Sequence, residues 1–474
     1  MSDRVASGID GLDELLGGGF PRGGLIVLAG NLGTGKTIFS AQFLYRGVVD
    51  HGEKGVYVSF AEDKDQFYGN TRALGFDFER LEREGHFSFL DMLTVREAGV
   101  SPVLELIIGK VVELGAKRLV IDSFSAMAQA FKEPHDARIV LHTILSRVAR
   151  SMGCTTLLIV EVPHGRSEIG LGIEEFVADG IIVLRRRLLE GNPLRELEIL
   201  KIRGSPTPRA HAVFTLKGGL RVFSGFKARP VEKPSRFKPT PDMKDRFSTG
   251  SPDLDEVLGG YPKGSTILFE VGEGVLAEHY LLVLLPTIWN FMAHGRSVLI
   301  TPSIGVEYSL IKERSEGSGF TSEEIDRLLR MYTRYRSDIR PGPGVVTFKG
   351  EDIFEDFEKR LKLVQELMDR TGQPVLDVNG VDALVDAYGV SGALSYLKAC
   401  ITTARIAGGL CLIVLKPGYP RLASILASMT DVHLRFVRRH GAVLVYGVNP
   451  ATNLHVLEMD VSEGYPMPKL TPII

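Results

Sequence analysis

The stretch "GNLGTGKT" at 30–37 satisfies the pattern G-x-x-x-x-G-K-[ST] in full. Residue types at that spacing suit one task, the cradling of a polyphosphate. Gly30, Gly33 and Gly35 let the backbone curl so that its N–H groups face phosphate oxygens. Lys36 offers an ammonium to the outer phosphates and Thr37 a hydroxyl to Mg²⁺. With Asn31, Leu32, Thr34 and Ile38 these residues form the candidate nucleotide-binding stretch, and ATP and Mg²⁺ are its expected ligands. Two carboxylates complete the chemistry. Asp122 ends the apolar run "RLVID" (118–122), where a strand-end carboxylate can hold the metal's shell. Glu62, in "FAED" after "VYVSF", is the candidate base that orients and deprotonates an attacking water.

Such a loop works only between a strand and a helix, and the flanking sequence supplies both. "LIVLA" precedes it and an apolar-periodic stretch over 36–50 follows. Further β-branched runs, "GVYVSF" (55–60), "RLVID", "TTLLIV" (155–160) and "GIIVL" (180–184), alternate with helical patterns at 101–114 and 136–151. Near-continuous apolar strands alternating with helices predict an α/β fold with a mostly parallel sheet covered on both faces. Between 195 and 223 the rhythm changes to "RELEILKI", "HAVFTL" and "LRVFS", which read as hairpin strands closing one edge. The triplet "RRR" at 185–187 is open to two readings, a basic patch for a partner or, favoured by alternation along a strand, a solvated edge.

The chain has 474 residues, 44% of them apolar and 24% charged, enough for two or three ordinary globular domains. A net charge of −2, from 56 basic and 58 acidic residues, creates no overall field to attract nucleic acid or acidic membranes. The three cysteines form no C-x-x-C pair, which excludes a zinc ribbon or a disulfide framework and fits a reducing compartment. "YLLVLLPTIWNFMA" (280–293) is too short to span a bilayer and reads as a buried helix. With no secretory pattern at the N-terminus, a cytoplasmic location is expected.

A second copy of the approach to the loop lies downstream. "STGSPDLDEVLGGYPKGSTILFE" (248–270) repeats "ASGIDGLDELLGGGFPRGGLIVLA" (6–29), and "AHGRSVLIT" (293–301) mirrors "DHGEKGVYVS" (50–59). The organisation is therefore a duplication: a first domain over 1–225, a proline-rich linker over 226–246 and a second domain over 247–474. Two registers are open for the second loop. "GNLGTGKT" falls on "VGEGVLAE" (271–278) without a gap, or on "GEGVLAEH" (272–279) with a one-residue shift. Lysine is lost in both, and a carboxylate stands where polyphosphate would lie. The Glu62 position falls near Ile304, and Asp377 in "QPVLDVNG" is the one candidate remnant of Asp122. The second domain is expected to be a pseudo-ATPase.

Taken together, "SGIDGLDELLGGGFPRGGLIVLAGNLGTGKT", "VIDS", "GIEEFVADGIIVLRRRLLEG" (172–191) and "LEILKIRGS" (197–205) resemble the KaiC-like branch of the RecA-superfamily P-loop ATPases. The likeness is strong to about residue 225 and weak beyond the linker. It implies two tandem RecA-like domains, ATP bound between neighbouring subunits of a ring, a hexamer, and a regulatory ATPase serving an unidentified protein partner. By the same resemblance Lys201 and Arg203 in "KIRG" reach a neighbour's γ-phosphate, and "LVYGVN" (444–449) replaces them in the second domain. Ser205 and Thr207 are carried over as nucleotide contacts. One departure is the run Ala61–Glu62–Asp63, where the family often has adjacent glutamates; slow hydrolysis is the consequence expected. Two other functions share the scaffold. A recombinase-like DNA-dependent ATPase is disfavoured by the neutral charge and the lack of an aromatic–basic loop cluster. A serine/threonine autokinase would use "LASMTD" (426–431) as acceptor, beside a loop not expected to bind ATP.

Overall fold

The computed structural model describes residues 4–93, 100–129, 134–162, 177–205, 211–335 and 342–474. It divides into two compact units. One comprises Met1–Gly225 with His440–Ala442 and Pro472–Ile474, the other Phe226–Arg439 with Val443–Thr471.

The first unit is built on a nine-stranded sheet. Its strands in chain order are β1 Leu25–Gly30, β2 Gly55–Ser59, β3 Phe87–Asp91, β4 Arg118–Asp122, β5 Thr155–Glu161, β6 Gly180–Leu189, β7 Asn192–Ile202, β8 His211–Thr215 and β9 Arg221–Phe223. They lie in the order 9-8-7-6-1-5-4-2-3. β1 pairs in parallel with β5 and β6, whereas β6 to β9 form the antiparallel edge. Every residue of β1 is buried, because alternate side chains enter two cores. Ile26 and Leu28 pack with Phe39, Phe43 and Leu44 of helix α1 (Lys36–His51). Leu25, Val27 and Ala29 pack with Val103, Ile107 and Val111 of the helix Val100–Leu114. Of the triplet 185–187, Arg185 and Arg187 pair across the hairpin with Glu198 and Glu196 at 2.8 and 3.1 Å.

The second unit is built on a ten-stranded sheet: β10 Thr266–Val271, β11 Val298–Thr301, β12 Leu329–Arg334, β13 Val345–Phe348, β14 Leu376–Gly380, β15 Leu410–Leu415, β16 Val432–Arg439, β17 Ala442–Asn449, β18 His455–Asp460 and β19 Met467–Pro472. Their order is 13-12-11-14-15-10-16-17-18-19. All nine strands of the first sheet therefore recur with the same connectivity, 9-8-7-6-1-5-4-2-3 in one unit and 19-18-17-16-10-15-14-11-12 in the other. The segment read as a linker does not hang free. It has no helix or strand before Arg246, yet Phe237 is only 3% exposed in the second unit's core, and Arg236 pairs with Glu324 at 2.7 Å. One aromatic residue among prolines is enough to tie such a segment down. The apolar helix Ala277–Ala293 is buried along most of its length. Among the described residues no helix is long and apolar enough to cross a membrane.

Candidate functional site

β1 ends at Gly30, and five residues separate it from Lys36, where α1 begins. The chain reverses in that short space because Gly33 and Gly35 take φ of 74° and 101°, where side chains are strained. At Gly30 the reason is contact: a Cβ there would lie 2.7 Å from the carbonyl oxygen of Leu184. Lys36 Nζ donates to the carbonyls of Gly30 and Asn31 at 2.8 and 2.9 Å. Burial lowers the Lys36 pKa, while Glu161 and Asp122 act to raise it. Asn31 Nδ2 donates to Val162 O, and Thr34 Oγ1 to Asn31 O. Leu32, at the tip, is 94% exposed, and Ile38 packs from α1 against the core.

β4 lies two strands away, and its last residue, Asp122, is 7% exposed. Asp122 Oδ2 accepts from Thr37 Oγ1 at 3.2 Å and from Tyr57 OH at 2.5 Å. Burial raises its pKa, opposed by those two hydrogen bonds and by Lys36. Glu62 stands beyond β2, where Ser59 Oγ holds the turn by accepting from Glu62 N and donating to Glu62 O. Its Oε1 is buried without a hydrogen-bond partner. Burial, then repulsion from Asp122, pushes its pKa up to about 7, against a hydrogen bond with Asn70. Neighbouring Asp63 is committed elsewhere, as the cap of helix Lys64–Arg72, accepting from Gln66 N at 2.8 Å. Glu62 is thus the carboxylate of that pair left to face the site.

Lys36, Thr37, Asp122 and Glu62 share the carboxyl ends of the strands. Lys201 and Arg203 do not. Gly180 pairs with both Ile26 and Ile202, so the end of β7 lies level with the start of β1. It is roughly 13 Å along the strand from Gly30, at about 3.3 Å per residue. Arg203 is 68% exposed and pairs with buried Asp179 at 2.9 Å. The Asp179 carboxylate also accepts from Leu25 N. Ser205 lies at that same end, its Oγ 2.4 Å from where a Cβ on Gly17 would stand. Thr207 lies outside the described residues. Tyr57, Glu161 and Asp179 were missed by the sequence reading. Glu161 had a usable signal, since "TTLLIVE" ends in a carboxylate as "RLVID" does, and it pairs with Gly30.

The second unit can be compared position by position. Asp431 accepts from Thr266 N at 2.8 Å as Asp179 does from Leu25 N, which equates Leu25 with Thr266. Five residues again separate strand from helix, Val271 from Ala277. Gly274, at φ 73°, stands where Gly33 stands. The gap-free register therefore holds: Lys36 corresponds to Ala277 and Thr37 to Glu278. The expectation for Asp377 is corrected by the same route. Leu25 pairs with Thr156 and Thr156 with Leu119, while Thr266 pairs with Cys411 and Cys411 with Asp377. Asp377 thus answers to Leu119, and Gly380 to Asp122. The Asp377 side chain is instead spent on a buried ion pair with Arg360. At Gly380 a Cβ would lie 2.4 Å from Ser303 N. Lys416, in the Glu161 position, donates to Ile304 O at 2.7 Å and pairs with Asp382, which accepts from Ile304 N. A cavity of about 20 Å³, room for one water, lies beside Tyr280, Thr301, Ser303 and Gly380.

Comparison with known proteins gives these arrangements a family. The family model described as "ATPase: KaiC" matches residues 5–224. The chain is 30% identical over 338 residues to the circadian clock oscillator protein KaiC of Synechococcus elongatus, across 69% of this chain and 63% of that protein. It thus spans less than two thirds of that relative's length. To a UPF0273 protein of Methanocaldococcus jannaschii it is 35% identical over 216 residues, 43% of this chain and 88% of that protein. Among solved structures, a KaiC-like protein from the archaeon Pyrococcus horikoshii is 38% identical and matched over 100% of its length and 47% of this chain, with a TM-score of 0.43. Through its first unit, the chain belongs to the KaiC-like ATPase family.

Proposed function

We propose that the first unit binds and hydrolyses ATP with Mg²⁺, that it does so at the interfaces of a ring, and that the second unit is a pseudo-ATPase retained as structure and interaction surface. The observation that carries the reading is the meeting of Lys36, Thr37, Asp122 and an unpartnered Glu62 oxygen around one loop. Lys36 rests on two neutral carbonyls, which a polyphosphate outcompetes by charge. The Thr37 hydroxyl and Asp122 carboxylate are adjacent hard oxygen donors that would hold Mg²⁺, and the ion would supply positive charge to offset that of the phosphates. Glu62, with a pKa near 7, takes the proton as a water oxygen bonds to the γ-phosphorus. The bond from that phosphorus to the bridging oxygen breaks, and ADP keeps the electron pair.

Arg203 lies too far along the sheet to serve its own loop and is well exposed, which supports a role on a neighbour's γ-phosphate. In the second unit the absence of the lysine, the carboxylate at Glu278 and the Ser303 backbone packed against Gly380, where a side chain in the Asp122 position would stand, all oppose a nucleotide. The proposed role is therefore regulatory: ATP state governs assembly, and the assembled chain presents its surface to a partner protein in the cytoplasm. Calorimetric titration with ATP and Mg²⁺ should give one nucleotide per chain, lost in Lys36→Ala. Two nucleotides per chain, or unchanged binding in Lys36→Ala, would overturn the reading.

A further inference from the structure

A phosphate-binding loop works by aiming N–H groups inward, and in a trans peptide the carbonyl points opposite to the N–H that follows it. Holding the carbonyls outward therefore aims the donors. In this loop Lys36 and Thr34 take the carbonyls at the start of the turn, Gly30 and Asn31. The carbonyls of Gly33 and Thr34 are taken by a residue from another part of the fold. Arg195, on β7, donates from Nη1 to Gly33 O at 3.1 Å and to Thr34 O at 3.4 Å. Its Nε meets the main-chain oxygen of Ile474, a residue of the same unit. Directly across the hairpin stands Arg186, so two like charges face each other beside the loop, an arrangement unfavourable in itself.

We propose that Arg195 is a positioning residue for nucleotide binding: it fixes the Gly33 and Thr34 peptides so that the N–H groups of Thr34 and Gly35 face the phosphates. The inference rests on the ATP reading above. The second unit supplies a contrast. There Arg438, on β16, donates to the carbonyl of Gly274 at 3.2 Å. Bracing the left-handed glycine from the hairpin is thus common to both halves and belongs to the architecture of the loop. The contact with Thr34 O extends that brace to the peptide that leads into α1. Placed there, the guanidinium also adds positive charge beside a polyanion, which offsets the repulsion from Arg186 once phosphate is bound.

Binding of ATP and of ADP with Mg²⁺, measured by calorimetry on Arg195→Gln and Arg195→Lys, tests the proposal. The Gln variant should bind both nucleotides about tenfold more weakly, the loss expected for charge-assisted hydrogen bonds. KM should rise with little change in kcat, because ground and transition states lose the same contacts. The Lys variant should recover part of the affinity, and both variants should unfold at the wild-type temperature without nucleotide. Affinity within twofold of wild type in the Gln variant overturns the proposal, as does a loss matched by a fall in the nucleotide-free unfolding temperature that Arg195→Lys shares. Failure of the underlying reading looks different: the wild-type chain itself would not bind ATP, and Lys36→Ala would be indistinguishable from it.

Discussion

Glu62 illustrates how one side chain's surroundings set its chemistry. An ordinary carboxyl titrates near 4.5, but burial and the nearby Asp122 charge push this one up to about 7. A base must be deprotonated to accept a proton, so ATP turnover should rise with pH through about 7, with a single ionisation on the acidic limb. The same shift affects stability with a definite sign. The folded-state pKa lies above the unfolded one, so the stabilisation is fully present below pH 4.5 and is lost as pH rises through 7. Glu62→Gln should therefore abolish the rise in turnover and also remove that loss of stability. Turnover by Glu62→Gln with the wild-type pH profile would show that another group is the base. Lys36 and Thr37 were legible because the loop is contiguous, and Asp122 because it ends an apolar run. Tyr57, Asp179 and Arg195 were not, since each reaches its partner through sheet register, and no local pattern in the chain encodes that.

Strand order and hydrogen-bond register make the duplication measurable at the scale of elements. The repeat was legible from its opening residues, and the parallel sheet from the apolar runs that alternate with helices. The position answering to Asp122 was not: Asp377 attracts attention as a carboxylate in the right strand, yet tracing two pairs of strands in each unit assigns the position to Gly380. Phe237 defeats a composition-based reading in the same way, since one buried ring outweighs the surrounding prolines. The consequence of the Gly380 assignment can be tested. Ala277→Lys with Glu278→Thr restores the loop's charged residues but leaves the Ser303 backbone where a carboxylate would have to stand. Such a double variant should still bind one ATP per chain. A second site appearing at comparable affinity would mean that the two loop residues alone had silenced it. β7 is the other element with a dual role, since it braces the loop through Arg195 and leads into Arg203 just past its far end.

For the whole molecule, the proposed role of Arg203 on a neighbour's nucleotide would make a single chain incomplete. If Arg203 serves a neighbour's ATP, Arg203→Ala and Lys36→Ala chains should each be nearly inactive alone, for opposite reasons. One binds ATP and offers no cation to its neighbour; the other offers the cation and binds nothing. Mixed before nucleotide is added, they should recover turnover, because some interfaces then join an intact loop to an intact arginine. An arginine supplied in this way contributes on the order of 10³-fold in phosphoryl transfer, so even a small share of repaired interfaces should exceed the background of either variant. Turnover should also rise more steeply than linearly with protein concentration near the assembly threshold, since the active unit is the interface and its population follows mass action. Two Arg203→Ala preparations mixed together provide the control, with no repaired interface to form. If mixed rings form, as detected by differently tagged chains, and turnover stays at the level of that control, Arg203 does not act across the interface. Its ion pair with Asp179 would then stand as a structural contact at the start of the sheet.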